Sequence, residues 1–172
     1  MQLAITLLGQ EAANPMTEIL SAIADCHCKI VQSHVSTLAD LSAGHLLIEG
    51  NWNHIAKLEN SLDVIAKKLD VKIQKQRPQE IGEGEDQLPY CLEVITQGEH
   101  DVIKPIVSFL IDRHLTIHEF SASRYRTGYL LAGTVFTAKF IVFIPSGVRL
   151  LSFREDFLDF CDHLGIDALL EP

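Results

Sequence analysis

The feature that most constrains this chain is an internal repeat. The stretch "LAITLLGQEAANPMTEILSAIADCHCKI", Leu3 to Ile30, aligns without a gap on "YCLEVITQGEHDVIKPIVSFLIDRHLTI", Tyr90 to Ile117, at a constant offset of 87 residues. A repeat of this length must be settled before any local reading, because it fixes the fold twice over. Identical residues are few, but Gln10 meets Gln97, Asp25 meets Asp112, His27 meets His114, and the apolar positions stay in phase. Met16, Ile19, Leu20 and Ile23 fall on Ile103, Ile106, Val107 and Leu110.

Each copy reads in the same order. A strand (Leu3–Leu8, or Tyr90–Thr96) leads through a short polar loop to a helix with apolar residues at i, i+3, i+4 and i+7. In the second copy that stripe is Ile103, Ile106, Val107, Leu110 and Ile111. Asn14 and Asp101 stand where a helix N-cap is expected, and Pro15 suits the first helical position. Pro105 falls near the fourth position, where a first-turn hydrogen bond would be lost. A hairpin follows, from about Lys29 to Gly50 with its turn near Asp40, and again from Thr116 to Pro145. The second helix of the first half is "WNHIAKLENSLDVIAKKL", with Ile55, Leu58, Leu62, Ile65 and Leu69 on one stripe. Its counterpart carries Phe153, Phe157, Phe160, Cys161 and Leu164 and stops at Gly165. "VKIQKQ" and "DALLEP" are the closing strands. Each half is therefore β-α-β-β-α-β, an α+β fold. Right-handed crossovers place both helices on one face of a four-stranded antiparallel sheet, the ferredoxin-like arrangement. The predicted units are 1–76 and 90–172, joined by a Gly-, Glu- and Pro-rich linker over 77–89. "KFIVFIP", Lys139 to Pro145, is apolar at both parities, so its bare face is expected to pack on the other repeat or on a second chain.

Charge narrows the function. Fourteen basic and 23 acidic residues give a net charge of −9, which opposes direct binding to nucleic acid. No run approaches the roughly 18 apolar residues of a membrane span. The N-terminal apolar stretch lacks a basic leader and reads as a strand, and four cysteines without framework spacing predict a cytoplasmic chain with reduced thiols.

The cysteines in "DCHCKI" admit core packing, a metal site or redox chemistry. Cys26 continues the stripe Met16, Ile19, Ile23, and the second copy has Arg113 and Leu115 in place of Cys26 and Cys28, which favours packing. His114 and His118, four apart at a strand start, lie roughly 13 Å from each other and cannot chelate one ion. Trp52 is expected to begin its helix and pack on a neighbour. "RTGYLLAGTVF", Arg126 to Phe136, lengthens the second hairpin by eight residues, and Tyr129, Leu131 and Val135 mark an apolar arm that would pack on a partner chain or fold over its own sheet. Neither a catalytic constellation nor a phosphate-cradling loop stands in a recognisable context, so no enzyme, no metal and no cofactor is expected.

The first half also resembles a known family. Cys26-x-Cys28-x-Ile30, then Gly50-x-Trp52-Asn53, then Ile55, Leu58, Glu59 and Leu62, resemble the glycine cleavage system transcriptional repressor family, and the likeness runs from Gly9 to Leu62. The second half matches in pattern only. The resemblance implies tandem ACT domains, an oligomer, and indirect repression of glycine cleavage genes through a DNA-binding activator. It also implies an amino-acid site, for glycine or a similar ligand, in the loop after the first strand. In these halves that loop offers Glu11, Ala13 and Asn14, or Glu99, His100 and Asp101. The plain alternative is that Asn14 and Asp101 are helix caps. A second functional reading is an amino-acid-binding ACT sensor of another metabolic pathway.

Overall fold

A computed structural model describes residues 1–11, 14–79, 87–97, 101–127 and 133–171. The chain divides into two compact units, Met1–Ile81 and Gly82–Pro172. The first contains β1 (Gln2–Gln10), α1 (Pro15–Asp25), β2 (Lys29–Leu38), β3 (Leu41–Glu49), α2 (Trp52–Leu69) and β4 (Lys72–Gln76). The second contains β5 (Gln87–Gln97), α3 (Ile103–Asp112), β6 (Thr116–Thr127), β7 (Gly133–Pro145), α4 (Leu150–His163) and β8 (Asp167–Glu171). Both sheets are four-stranded, ordered β2-β3-β1-β4 and β6-β7-β5-β8. Every pairing is antiparallel.

Alternation along the central strands decides which face is covered. Leu3, Ile5 and Leu7 of β1 are buried together with Leu46 and Ile48 of β3, Ile19 and Ile23 of α1, and Ile55, Leu58, Leu62 and Ile65 of α2. The second core is richer in aromatics. Phe109, Phe153 and Phe157 from the helices meet Phe136 and Phe140 from β7. The apolar stripes thus land where their periods place them, with three exceptions, the first being Leu20 of α1, which is 44% exposed. Ile111 points outward, 58% exposed, and Phe109 takes its share of the core instead. Leu164 lies beyond the last turn of α4 and is half exposed.

The repeat extends to the helix ends. The N–H of Cys28 donates to the carbonyl of Ile23 and that of His27 to Ala24, while Leu115 donates to Leu110 and His114 to Ile111. This is the bond pattern of a Schellman stop, which needs a left-handed residue. His27 (φ 54) and His114 (φ 57), 87 apart, supply it. The answer to the histidine between two cysteines is therefore a helix stop. Asp70 (φ 52) and Gly165 (φ 66) end α2 and α4 in the same conformation. Gly165→Ala is expected to lower stability by about 1 kcal/mol, the cost of a Cβ in the left-handed region. Nothing lies within 4 Å of that Cβ, so the loss would be purely conformational. A urea titration with an unchanged slope checks it.

The edge strands repeat as well. Pairing slips between Ile30 and Gln32 and again between Ile117 and Glu119, so Val31 and His118, also 87 apart, are matching bulges. Ile30 pairs with Ile48, eighteen residues on, and Ile117 with Val142, twenty-five on, which makes the second hairpin seven residues longer rather than eight. Pro105 is the third residue of α3, after Val102 at the cap. The N–H groups of a first turn have no partner within the helix, so this proline costs no hydrogen bond.

Candidate functional site

The loop after β1 departs from the expected cap. Asn14 sits at φ 45, ψ 52, and its side chain makes no bond to a helix N–H. Its Oδ1 accepts instead from the Thr17 hydroxyl at 3.0 Å. The backbone explains this, because capping requires an extended residue and Asn14 is left-handed, the conformation glycine would otherwise supply. Glu11 is held by its main chain, donating to the Asp40 carbonyl and accepting from the Asn14 N–H, both at 2.9 Å. The second loop behaves differently. Asp101 Oδ1 accepts from the Ile103 N–H at 3.1 Å, one residue ahead of the formal cap Val102. Ala13, Glu99 and His100 lie outside the described residues.

A second cluster joins stretches that are distant in sequence. A Cβ on Gly50 would stand 3.0 Å from Cys28 Sγ, 3.3 Å from His54 Cβ and 3.4 Å from Ile55 Cδ1. The Cys-x-Cys-x-Ile and Gly-x-Trp-Asn stretches therefore meet at one crowded corner, where the end of α1 packs beneath the start of α2. Asn51 closes it by accepting the His54 N–H on its Oδ1 at 2.8 Å, and the His27 and His54 rings meet edge-on at 5.8 Å. Trp52 does not join this packing. It opens α2 with 63% of its surface exposed.

A family model described as "ACT domain" matches residues 1–76, the whole of the first βαββαβ unit. Residues 1–76 are an ACT domain. The second unit repeats the ACT topology strand for strand, so the fold is two ACT domains in tandem. Two solved structures are similar over nearly the whole chain. One is a "putative glycine cleavage system transcriptional repressor", at 19% identity and a TM-score of 0.68, covering 99% of this chain and 95% of that one. The other is a protein of unknown role from Galdieria sulphuraria, at 15% identity and a TM-score of 0.71, covering 99% and 96%. At these identities the likeness concerns the fold. A comparison with curated proteins finds no match.

Of the large apolar residues expected to form an arm in the second unit, Val135 and Phe136 are among the described residues. Val135 pairs with Gln97 on one side and Tyr125 on the other, and Phe136 is buried in the core. Both belong to the sheet and do not project from it. Tyr129 and Leu131 lie outside the described residues. Among the described residues no helix is long and apolar enough to cross a membrane. Nor do three His, Cys, Asp or Glu side chains converge there as metal ligands. His114 stands at a helix stop ahead of β6, not on the strand as expected, and His118 is on the bulge, edge-on to Phe143 at 4.9 Å.

All four cysteines are free thiols, Cys26 and Cys161 buried. Burial pushes Cys161 from an ordinary 9.0 up to about 11, with the Asp162 charge adding to the effect. Burial likewise raises Cys28 and Cys91. The folded chain then keeps the Cys161 proton to about pH 11, while the unfolded chain loses it near 9.0. Above pH 9 the unfolded state binds fewer protons, so stability is intact below that point and falls as pH rises towards 11. The melting temperature should drop between pH 8.5 and 10.5, and less steeply in Cys161→Ala than in the parent.

Proposed function

We propose that this ACT-domain protein is a regulator without catalytic activity, acting in the cytoplasm through protein contact. Its target, in this reading, is a DNA-binding activator of glycine cleavage genes, whose expression it represses. The observation that carries the contact reading is the repeated sheet edge. β2 and β6 occupy the same outer position in the two sheets. Val31, Val35 and Leu38 on β2, and Phe120 and Tyr125 on β6, are exposed. An edge strand with exposed apolar side chains is a surface that recruits other chains, including further copies of itself. The net charge of −9 supports action on a protein over action on DNA. The glycine cleavage target rests on the full-length likeness to the repressor structure.

The test is affinity purification of the tagged full chain from native lysate, followed by Val35→Lys and Tyr125→Lys. A DNA-binding regulator should co-purify and be lost from the double variant while its far-ultraviolet spectrum is unchanged. A partner retained by the folded variant, or tight DNA binding by the purified chain alone, would overturn the reading. A second reading, an amino-acid sensor, is favoured by the left-handed Asn14, which leaves the first turn of α1 without a side-chain cap. Such a turn can receive a carboxylate. A rise in melting temperature with glycine, serine or a branched amino acid, absent with acetate, would select it.

A further inference from the structure

The second unit has a cavity of about 290 Å³ where β7 turns into α4. Its lining includes Arg113, Leu115, Val148, Arg149, Phe153 and Asp156. Leu115 and Phe153 are core residues, and with Val148 they give the cavity an apolar wall. Two guanidinium groups reach the same space from different elements. Arg113 follows the last residue of α3, and Arg149 precedes the first residue of α4.

The repeat shows what is particular to this corner. Its counterpart in the first unit is the crowded corner of Cys28, Gly50 and His54. By the offset of 87, Arg113 stands where that unit has Cys26, and Leu115 where it has Cys28. By the helix caps, Arg149 stands where it has Asn51, and Val148 where it has Gly50. A thiol and a carboxamide in one unit thus correspond to two guanidiniums in the other. The topology does not require arginine at either place, since the first unit makes the same helix stop and starts the same helix without one.

Both arginines are anchored. The Arg113 Cζ lies 3.6 Å from the centre of the Phe109 ring, and its Nη2 lies 3.4 Å from Asp156 Oδ2. Phe109 is buried and stacked on Phe160 at 4.5 Å, so the guanidinium rests on a fixed ring. Asp156 engages one nitrogen of a group that carries five N–H donors. The Arg149 carbonyl accepts the Phe153 N–H at 3.0 Å, and the turn before it closes with the Val148 N–H on the Pro145 carbonyl at 2.9 Å.

We propose that this cavity binds a small carboxylic acid with a short apolar body. A guanidinium presents a planar fork that matches a planar carboxylate. Two of them beside aliphatic and aromatic carbon suit a ligand with one anionic end and one hydrocarbon end. Asp156 disfavours a second carboxylate on that ligand, because like charges repel at close range. The volume lies near the lower end of small-molecule sites, so the body is short. The cavity sits at the C-terminal end of α3, away from the loop after β5, and stands independently of the edge-strand contact proposed above.

The experiment titrates the isotope-labelled full chain with isobutyrate and follows the backbone amide resonances of Leu115, Val148 and Phe153. Saturable shifts are expected, with the neutral isostere isobutyramide about tenfold weaker or more. Arg149→Gln should weaken isobutyrate binding by about tenfold or more, and Arg113→Gln should do the same from the other element. Arg154→Gln removes an arginine of the same helix that is not part of the lining, and should leave the affinity unchanged. That control separates the cavity from general attraction to a cationic surface. Because Arg113 also packs on Phe109, the Arg149 variant decides the matter if Arg113→Gln fails to fold. Absence of saturable shifts at these amides, isobutyramide binding as tightly as isobutyrate, or affinity that survives Arg149→Gln would overturn the proposal.

Discussion

Phe157→Ala is expected to destabilise the second unit by about 3–5 kcal/mol, the usual cost of emptying an aromatic site in a core. Phe157 is fully buried, with the Phe109 ring 5.8 Å and the Phe153 ring 6.2 Å away. Those rings in turn contact each other and, through Phe109, the Phe160 ring at 4.5 Å. An aromatic cluster of this kind relaxes poorly into a void, because rigid rings cannot slide to fill it as methionine or leucine would. A domain of this size holds only about 5–15 kcal/mol in total, so the loss removes much of the margin. The melting temperature of the second unit should fall by roughly 15 °C or more. Leu151, on the same helix but 76% exposed, is the control. Leu151→Ala should change stability by less than about 0.5 kcal/mol. Equal effects from the two substitutions would mean that α4 does not present its phenylalanine face to the sheet.

That face was legible in the sequence because helical period and burial agree. Phe153, Phe157 and Cys161 recur at four-residue steps, and all three are buried. The same agreement gave α2 its bounds, Trp52 to Leu69, and both βαββαβ orders. Period fails where backbone conformation takes over. Asn14 looks like any N-cap in sequence, and only its φ of 45° shows that its side chain is withdrawn from the helix. Ile111 and Phe109 are both apolar near the end of a helix, and the choice between them depends on which direction the sheet lies. Trp52 is large and apolar, but it sits at a first helical position that faces outward, so its size says nothing about burial. One signal was present in the sequence without being used. Histidine recurring at the last turn of both first helices, in the same register, marks a left-handed stop, since His tolerates that conformation better than branched residues. The cavity at the start of α4 was not legible for a different reason. Its arginines stand on either side of a long hairpin, and each looks like an ordinary helix-end residue in sequence. Only the fold brings Arg113 and Arg149 to one space.

Gly9→Ala is the second substitution with a large expected effect, although it adds a single methyl group. A Cβ there would lie 2.2 Å from Val71 Cγ1 and 2.8 Å from Val71 Cβ. Val71 is 5% exposed and follows the left-handed Asp70 at the end of α2, its N–H bound to the Ala66 carbonyl at 3.1 Å. It is therefore pinned by the helix stop and cannot retreat without breaking it. Overpacking of this kind costs typically about 1–3 kcal/mol. The second repeat has Thr96 at the equivalent position, so the topology itself does not demand glycine. The requirement comes from how closely Val71 is brought down in the first unit. Val71→Ala removes the 2.2 Å contact and leaves the one at 2.8 Å, so rescue should be partial. In a double-mutant cycle the pair should show a favourable coupling of about 0.5–3 kcal/mol, the range for residues in direct contact. Strict additivity, or a Gly9→Ala variant as stable as the parent, would place Val71 elsewhere. It would also loosen the junction that fixes the register of β4.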